Sequence, residues 1–271
     1  MQNGKPIFDQ IADFYDETRS EITPNELNAI VSALGSCKTI LDVGVGTGRI
    51  AKPLQDKGFT VTGLDLSVKM MEKAREKGVK HLVIGNATEL PFLDKFFDAF
   101  ISVHVLHLLE QREKMMSEAA RVTKNIIMSL IRESEDNGAG RRRDRRMAWN
   151  IYMETREKYG YPLEIKGQNS NHFSENLILE DFPPYRKILI HETEHRTNPQ
   201  DFSKRFKKSS RYVKLSSDIP EDIHAKILED VDLSLSQLDL PPRVSKMKEY
   251  LCIWRPEDVY DSMERRRINQ V

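Results

Sequence analysis

Three things are scarce in this chain of 271 residues, and each scarcity excludes a class of protein. Cysteine occurs only at Cys37 and Cys252, too few for the disulfide framework that staples small secreted domains. No stretch approaches the run of about 20 apolar residues that a membrane span needs, and no N-terminal apolar core marks a secretory leader. Net charge is missing too. The 42 Lys and Arg balance the 42 Asp and Glu, so no global field draws the protein to nucleic acid or an anionic membrane. The expectation is a soluble, cytoplasmic protein without a membrane span. Its 39% hydrophobic residues suffice for one large core, and no internal repeat or low-complexity tract appears.

What is present is concentrated in residues 39–49, TILDVGVGTGR. A short β-branched run stops at Asp42 and breaks into Gly44, Gly46 and Gly48. The run fits a strand buried in a parallel sheet, and the glycines let backbone approach a ligand without Cβ interference. Apolar Ile50, Ala51 and Leu54, with Gly58 as the stop, predict a helix over 48–57. Strand, glycine turn and helix together place free backbone N–H groups beside a crevice at the carboxyl end of a strand. Spacing restricts the ligand. A dinucleotide fingerprint needs a glycine where Arg49 stands, and no G-K-[ST] follows as in a phosphate loop. A second strand ends at Asp65, about twenty residues past the first glycine, where a carboxylate can accept both hydroxyls of a ribose. The site suits a nucleoside carrying something smaller than a second nucleotide.

Further along stand Gly85-Asn86-Ala87, Leu90-Pro91-Phe92 and the strand exit Ser102 to His107. In this order the motifs resemble those of class I S-adenosylmethionine-dependent methyltransferases of the small-molecule type, near the ubiquinone- and menaquinone-biosynthesis branch. The resemblance covers roughly residues 8–131, and it is specific as an ensemble. It implies a doubly wound, Rossmann-like sheet of seven mostly parallel strands in the order 3-2-1-4-5-7-6, the last strand antiparallel, with an inserted helical cover. It implies methyl transfer from S-adenosylmethionine to an O, N or C atom of a small organic acceptor, giving S-adenosylhomocysteine. Gly44, Gly46 and Gly48 would hold the methionine portion, with Asp42 binding its ammonium through water or fixing the turn. Asp65 would take the ribose hydroxyls and Leu66 would pack on adenine. Asn86, where the family usually has Asp, would read the adenine edge with Ala87, its carbonyl oxygen accepting from the amino group. Ser102 and Val103 would pass below the methionine chain. An RNA or protein methyltransferase, or a non-catalytic S-adenosylmethionine-binding protein, are the rival readings.

The alternation of elements to about residue 131 argues independently for a doubly wound parallel sheet, with helices over 24–34, 67–77 and 110–122 and strands near 39–43, 60–64, 81–85, 98–103 and 125–131. Residues 133–146 read as a polar and charged break before a helix that carries Trp149 and Tyr152, which wall a pocket or, preferably, pack in the core. Strands are expected over 185–196 and 246–254, with a helix over 220–231 opened by Pro220 and Glu221. The chain is expected to be a single domain over 1–271, with an N-terminal cap segment at 1–23 and substrate-cover insertions at 135–184 and 198–245. Two side chains are candidates for catalysis. His104 could take a proton from the acceptor or simply bond locally, as could His107. Tyr15 could cap the methionine end, or join Phe8 and Ile11 in a helical stripe that packs the segment down.

Three signals are discounted. DFPPY at 181–185 lacks the spacing of an amino-methylating tetrapeptide and reads as a bend. RRRDRR at 141–146 suits a solvated helix start or an anionic-substrate contact better than nucleic acid in a chain without net charge. His172, His191 and His195 suggest no metal, because strand alternation sends His191 and Glu192 to opposite faces. The acceptor is left unnamed, and homodimerisation is left open.

Overall fold

Thr39–Val43 forms β1, buried along almost its whole length because both sheet faces carry helices. The structure is a computed structural model that describes residues 7–10, 12–18, 21–134, 139–162, 176–207, 215–216, 218–238 and 240–269. β1 pairs in parallel with β2 (Thr60–Asp65) on one side and β4 (Phe97–Val103) on the other. β3 (His81–Ile84) lies beyond β2, and β5 (Thr123–Ser134) beyond β4. β7 (Arg243–Trp254) runs antiparallel between β5 and β6 (Arg186–Thr197). The order is β3-β2-β1-β4-β5-β7-β6, as the sequence reading expected. Chain direction across the sheet reverses between β1 and β4, the switch point where open α/β sheets bind ligands.

Helices cover both faces. On one side pack α2 (Pro24–Leu34), α3 (Ala51–Asp56) and α4 (Val68–Glu76), through Ile30, Leu34, Leu54, Met71 and Ala74; a four-residue α1 (Ala12–Tyr15) precedes them. α2 opens with a complete capping box: Thr23 Oγ1 accepts from Glu26 N at 3.2 Å and Glu26 Oε2 accepts from Thr23 N at 2.5 Å. α3 begins three residues later than the periodicity predicts, because Gly48 sits at φ +82°, outside helical space. The opposite face carries α5 (Arg112–Val122) and α7 (Asn176–Asp181). There the buried Trp254 indole donates to Phe182 O at 2.7 Å. A last helix, α10 (Pro256–Asn269), packs on α5 and β5. Its apolar contacts, Val259 and Met263, are too few to announce it in the sequence.

The charged stretch 139–146 is not a break. It forms the first turns of α6 (Ala139–Lys158), where Asp144 is buried in an ion pair with Arg243 of β7. α6 joins α8 (Phe202–Lys207) and α9 (Glu221–Ser236) around a core of their own, built on Tyr152, Phe202, Phe206, Leu228 and Val231. Tyr152 lies wholly inside it, its hydroxyl 2.9 Å from His224 Nε2, and Trp149 packs edge-on against Phe206. Both aromatics therefore hold these helices together rather than wall a pocket. Arg156 is 0% exposed and donates to Tyr161 O, Leu215 O and Asp218 Oδ2, which ties two connecting segments to one buried guanidinium. Pro183 and Pro184 form the bend before β6.

Candidate functional site

The glycine turn leaves the carboxyl end of β1 with its donors already engaged. Gly44 N and Val45 N both donate to Leu64 O, at 2.8 and 3.1 Å, Gly46 N to Asp65 Oδ2 at 2.9 Å, and Gly48 N to Val45 O at 2.9 Å. The expectation of free N–H groups at these four residues is thus corrected: twisting the turn back onto β2 satisfies them internally, and they do not form an anion cradle. The three glycines also differ in purpose. A Cβ on Gly44 (φ +74°) would overlap Val105 Cγ2, and one on Gly48 would lie 2.7 Å from Val79 Cγ2. A Cβ on Gly46 would meet no atom nearer than Gly44 O at 3.9 Å. Gly44 and Gly48 are glycines for packing, and Gly46 is the one whose missing side chain leaves open space.

Acceptors, rather than donors, line this place. Asp42 is 2% exposed, and its Oδ2 finds no hydrogen-bond partner among the described residues. Burial pushes its carboxyl up to about 7, helped by the Asp65 charge and opposed by Arg49 and the Ala51 N–H. Asp65 accepts from Ser67 N through Oδ1 at 2.9 Å and from Gly46 N through Oδ2. Burial nonetheless raises it above the ordinary carboxylate range. Leu66, next in the chain, is 54% exposed, an apolar surface without a cover. Buried or half-engaged carboxylates beside an open apolar shelf suit a ligand with positive charge and hydroxyls, and they disfavour a phosphate.

Asn86 behaves differently from the expectation. Its Oδ1 accepts from Thr88 N and Thr88 Oγ1, each at 3.0 Å, in a local turn of the kind short amide side chains favour. That oxygen is therefore engaged by its own loop, and only the side-chain amide N–H groups and the neighbouring backbone at buried Ala87 are left for a ligand edge. Ser102 is 1% exposed, with Oγ likewise without a partner, and Val103 is 9% exposed. The chain then leaves β4 through His104 at φ +59°, a left-handed conformation uncommon outside glycine and enriched in histidine, asparagine and aspartate. That twist swings Val105 onto Gly44 and leaves the His104 imidazole partly exposed. The side chains of His107 and His195, and all of His172 and Ile11, lie outside the described residues. His191 faces Glu249, whereas Glu192 faces Lys246 and Lys248. Among the described residues no group of three or more His, Cys, Asp and Glu side chains could hold a metal ion.

Tyr15 packs edge-on to Phe8, ring centres 6.3 Å apart, in a small cluster with Ala12 and Met70 of α4. What holds this N-terminal segment is a set of acids that sequence reasoning missed. Asp9 Oδ1 accepts from Ser67 Oγ at 2.5 Å and Lys69 N at 3.3 Å, and Asp13 pairs with Lys73 at 3.3 Å. Asp16 takes both the Thr47 hydroxyl at 2.6 Å and the Lys77 ammonium at 2.6 Å. Burial opposes the Asp16 charge, but Lys77 and Thr47 outweigh it and hold the carboxyl below its usual range. Acids at 9, 13 and 16 facing residues 69, 73 and 77 were a legible signal, since both series repeat at helical spacing. Through Thr47 the segment is fastened to the glycine turn itself.

A family profile described as a methyltransferase domain matches residues 41–126, the stretch from β1 into β5. A demethylmenaquinone methyltransferase of Thermotoga maritima is 31% identical over 167 residues, 55% of this chain and 68% of the relative. An uncharacterized protein of Methanocaldococcus jannaschii is 37% identical over 131 residues, 46% of this chain and 61% of the relative. A demethylmenaquinone methyltransferase of Renibacterium salmoninarum is 33% identical over 126 residues, 44% and 53% of the two chains. The chain thus spans about half to three fifths of the first curated relatives it matches. Among solved structures, the YcgJ protein of Bacillus subtilis shares the fold at TM-score 0.50 and 18% identity, covering 84% of this chain and 97% of its own. With the sheet order, the acceptor-lined turn at its switch point and a relative matched over two thirds of its length, the chain belongs to the class I S-adenosylmethionine-dependent methyltransferases.

Proposed function

We propose that this protein transfers the methyl group of S-adenosylmethionine to an O, N or C atom of a small organic molecule in the cytoplasm and releases S-adenosylhomocysteine. The observation that carries the donor half is a pair of carboxylates, buried Asp42 and half-buried Asp65, beside a turn whose Gly44, Val45, Gly46 and Gly48 N–H groups are engaged. Asp42 Oδ2 is the acceptor for the methionine ammonium, and Gly46 lets the methionine chain pass close. Asp65 keeps lone pairs for the ribose hydroxyls beyond its bonds to Gly46 and Ser67, and Leu66 is the shelf for adenine. Asn86 would offer its amide N–H to a ring nitrogen, with Ala87 beside it, and Ser102 and Val103 floor the crevice. The bound sulfonium supplies an electrophilic methyl, so the chain's own work is to orient the acceptor and keep water out. His104, half-exposed at the β4 exit, is placed to take a proton from a hydroxyl or amine acceptor. Tyr15 helps close the methionine end with residues 1–23, and the helices of 135–184 and 198–245 cover the acceptor side.

A small acceptor is supported by the two relatives named as demethylmenaquinone methyltransferases, and by the zero net charge. The cytoplasmic assignment is supported by Cys37 and Cys252, both buried thiols that are not joined in a disulfide. No helix among the described residues is long and apolar enough to cross a membrane. Calorimetric titration is expected to show binding of both S-adenosylmethionine and S-adenosylhomocysteine; heat from neither would overturn the proposal. The glycines supply a finer test. Gly46→Ala is expected to weaken donor binding about tenfold at a stability cost of about 1–2 kcal/mol from its positive φ alone. Gly48→Ala adds a clash with Val79 and is expected to cost about 1–3 kcal/mol more, with little effect on affinity once folded. Equal affinities for the two variants would remove Gly46 from the site.

A further inference from the structure

A chain of hydrogen bonds leaves the N-terminal segment, crosses the candidate donor site and returns to the segment. Asp9 Oδ1 accepts from Ser67 Oγ at 2.5 Å, and Ser67 N donates to Asp65 Oδ1 at 2.9 Å. Asp65 Oδ2 accepts from Gly46 N at 2.9 Å, and the next residue, Thr47, donates from Oγ1 to Asp16 Oδ1 at 2.6 Å. One short stretch of chain therefore grips both neighbours of the Asp65–Gly46 contact. Lys77 tightens the second grip, since its ammonium donates to Thr47 Oγ1 at 3.2 Å and pairs with Asp16 Oδ2 at 2.6 Å. The Thr47 hydroxyl both gives and accepts a hydrogen bond, which fixes its orientation.

Thr47 is 1% exposed and stands between Gly46 at φ +54° and Gly48 at φ +82°. Glycines on both sides leave the backbone there little stiffness of its own. Within 44–48 only Val45 and Thr47 carry side chains, and Val45 packs into the core under the turn. Thr47 is the turn's one polar side chain, and Asp16 holds it. We infer that the N-terminal segment braces the donor site: Asp16, through Thr47, and Asp9, through Ser67, are positioning residues that set the Gly46 backbone and the Asp65 carboxylate at the spacing the donor needs. This role rests on the donor reading above. Linkage makes it reciprocal, because a segment that favours the donor-ready turn is itself held more tightly once the donor is bound.

Affinity for S-adenosylhomocysteine and hydrogen exchange of the segment test the brace together. Asp16→Ala is expected to weaken binding about tenfold, the scale of one charge-assisted hydrogen bond. Asp16→Asn, whose amide oxygen still accepts from Thr47, is expected to recover most of that loss. Thr47→Val keeps the shape of the side chain without its hydroxyl and is expected to match Asp16→Ala. The double variant Asp16→Ala/Thr47→Val should bind no more weakly than either single variant, since all three lack the same contact. In the wild-type protein the ligand is expected to slow exchange of amides 12–18 about tenfold, and in Asp16→Ala to slow it far less. Losses that multiply in the double variant, an affinity unchanged in Asp16→Ala, or wild-type exchange at 12–18 indifferent to the ligand would each overturn the brace while leaving the donor reading in place. Asp16 is exposed, so its two variants and the exchange measurement decide the matter should Thr47→Val fail to fold. Wild-type protein that binds no S-adenosylhomocysteine overturns the donor reading and the brace with it.

Discussion

Asp65→Ala is expected to abolish measurable binding of S-adenosylmethionine, a loss of at least about 100-fold. Two effects add. The carboxylate is the proposed acceptor for two ribose hydroxyls, and hydrogen bonds to a charged group are each worth about 1.5–3 kcal/mol. It also accepts from Gly46 N and Ser67 N at 2.9 Å each, so its removal leaves two partly buried amides without acceptors. It further frees the turn that sets the position of Asp42. The second effect predicts a loss of stability of roughly 1–3 kcal/mol per orphaned amide, visible as a lower melting temperature without ligand. Asp65→Asn separates the two. An asparagine oxygen can still accept from one amide, so most of the stability should return while affinity stays at least about tenfold weak, because the charge is gone. Unchanged affinity in a folded Asp65→Ala protein would show that the ribose is held elsewhere.

The framework of the proposed donor site was legible in the sequence because its elements are local. A buried strand, a glycine turn and an acid at the next strand end are each set by residues within a few positions of one another, and the β-order follows from the alternation of elements. Three things were hidden, each for a physical reason. The turn's N–H groups looked free because sequence does not show that β2 would come close enough for Leu64 O to accept two of them. The Asn86 carbonyl oxygen looked available to adenine because its competing partner, Thr88, is a neighbour whose hydroxyl had no motif to mark it. The helix start expected at 141–146 is there, but nothing local reveals that Asp144 within it pairs with Arg243, across a gap of 99 residues. Polar contacts between distant segments are what composition and periodicity cannot see, and here they position both the turn and its cap.

Donor binding is expected to release a proton, and Asp42 is its source. In the ligand-free protein the Asp42 carboxyl stands near 7, against about 3.9 in an unfolded chain. The sign follows directly. Between about pH 4 and pH 7 the folded protein holds a proton that the unfolded chain has lost. This group's contribution to stability is therefore full below about pH 4, declines as pH rises and is gone above about 7, on the order of 4 kcal/mol in all. Binding reverses the preference. A methionine ammonium beside Oδ2 favours the carboxylate, so the complex holds fewer protons than its components. Affinity should then rise with pH by up to about tenfold per unit until it levels near pH 7. Calorimetry near pH 6, in buffers of different ionisation enthalpy, reads the released proton directly as a slope of observed heat. Asp42→Asn keeps the size of the side chain and an oxygen for the Ala51 N–H but carries no titrating proton. It should bind with a buffer-independent heat and a flat pH profile. A wild-type heat that ignores the buffer would show that Asp42 is already ionised or lies away from the ammonium. A slope that survives in Asp42→Asn would move the proton to another group. The two outcomes distinguish a carboxyl that merely fixes the turn from one that recognises the donor's charge. Only the second gives a partner to a buried oxygen that has none among the described residues, beside a turn whose Gly44, Val45, Gly46 and Gly48 N–H groups have all found theirs.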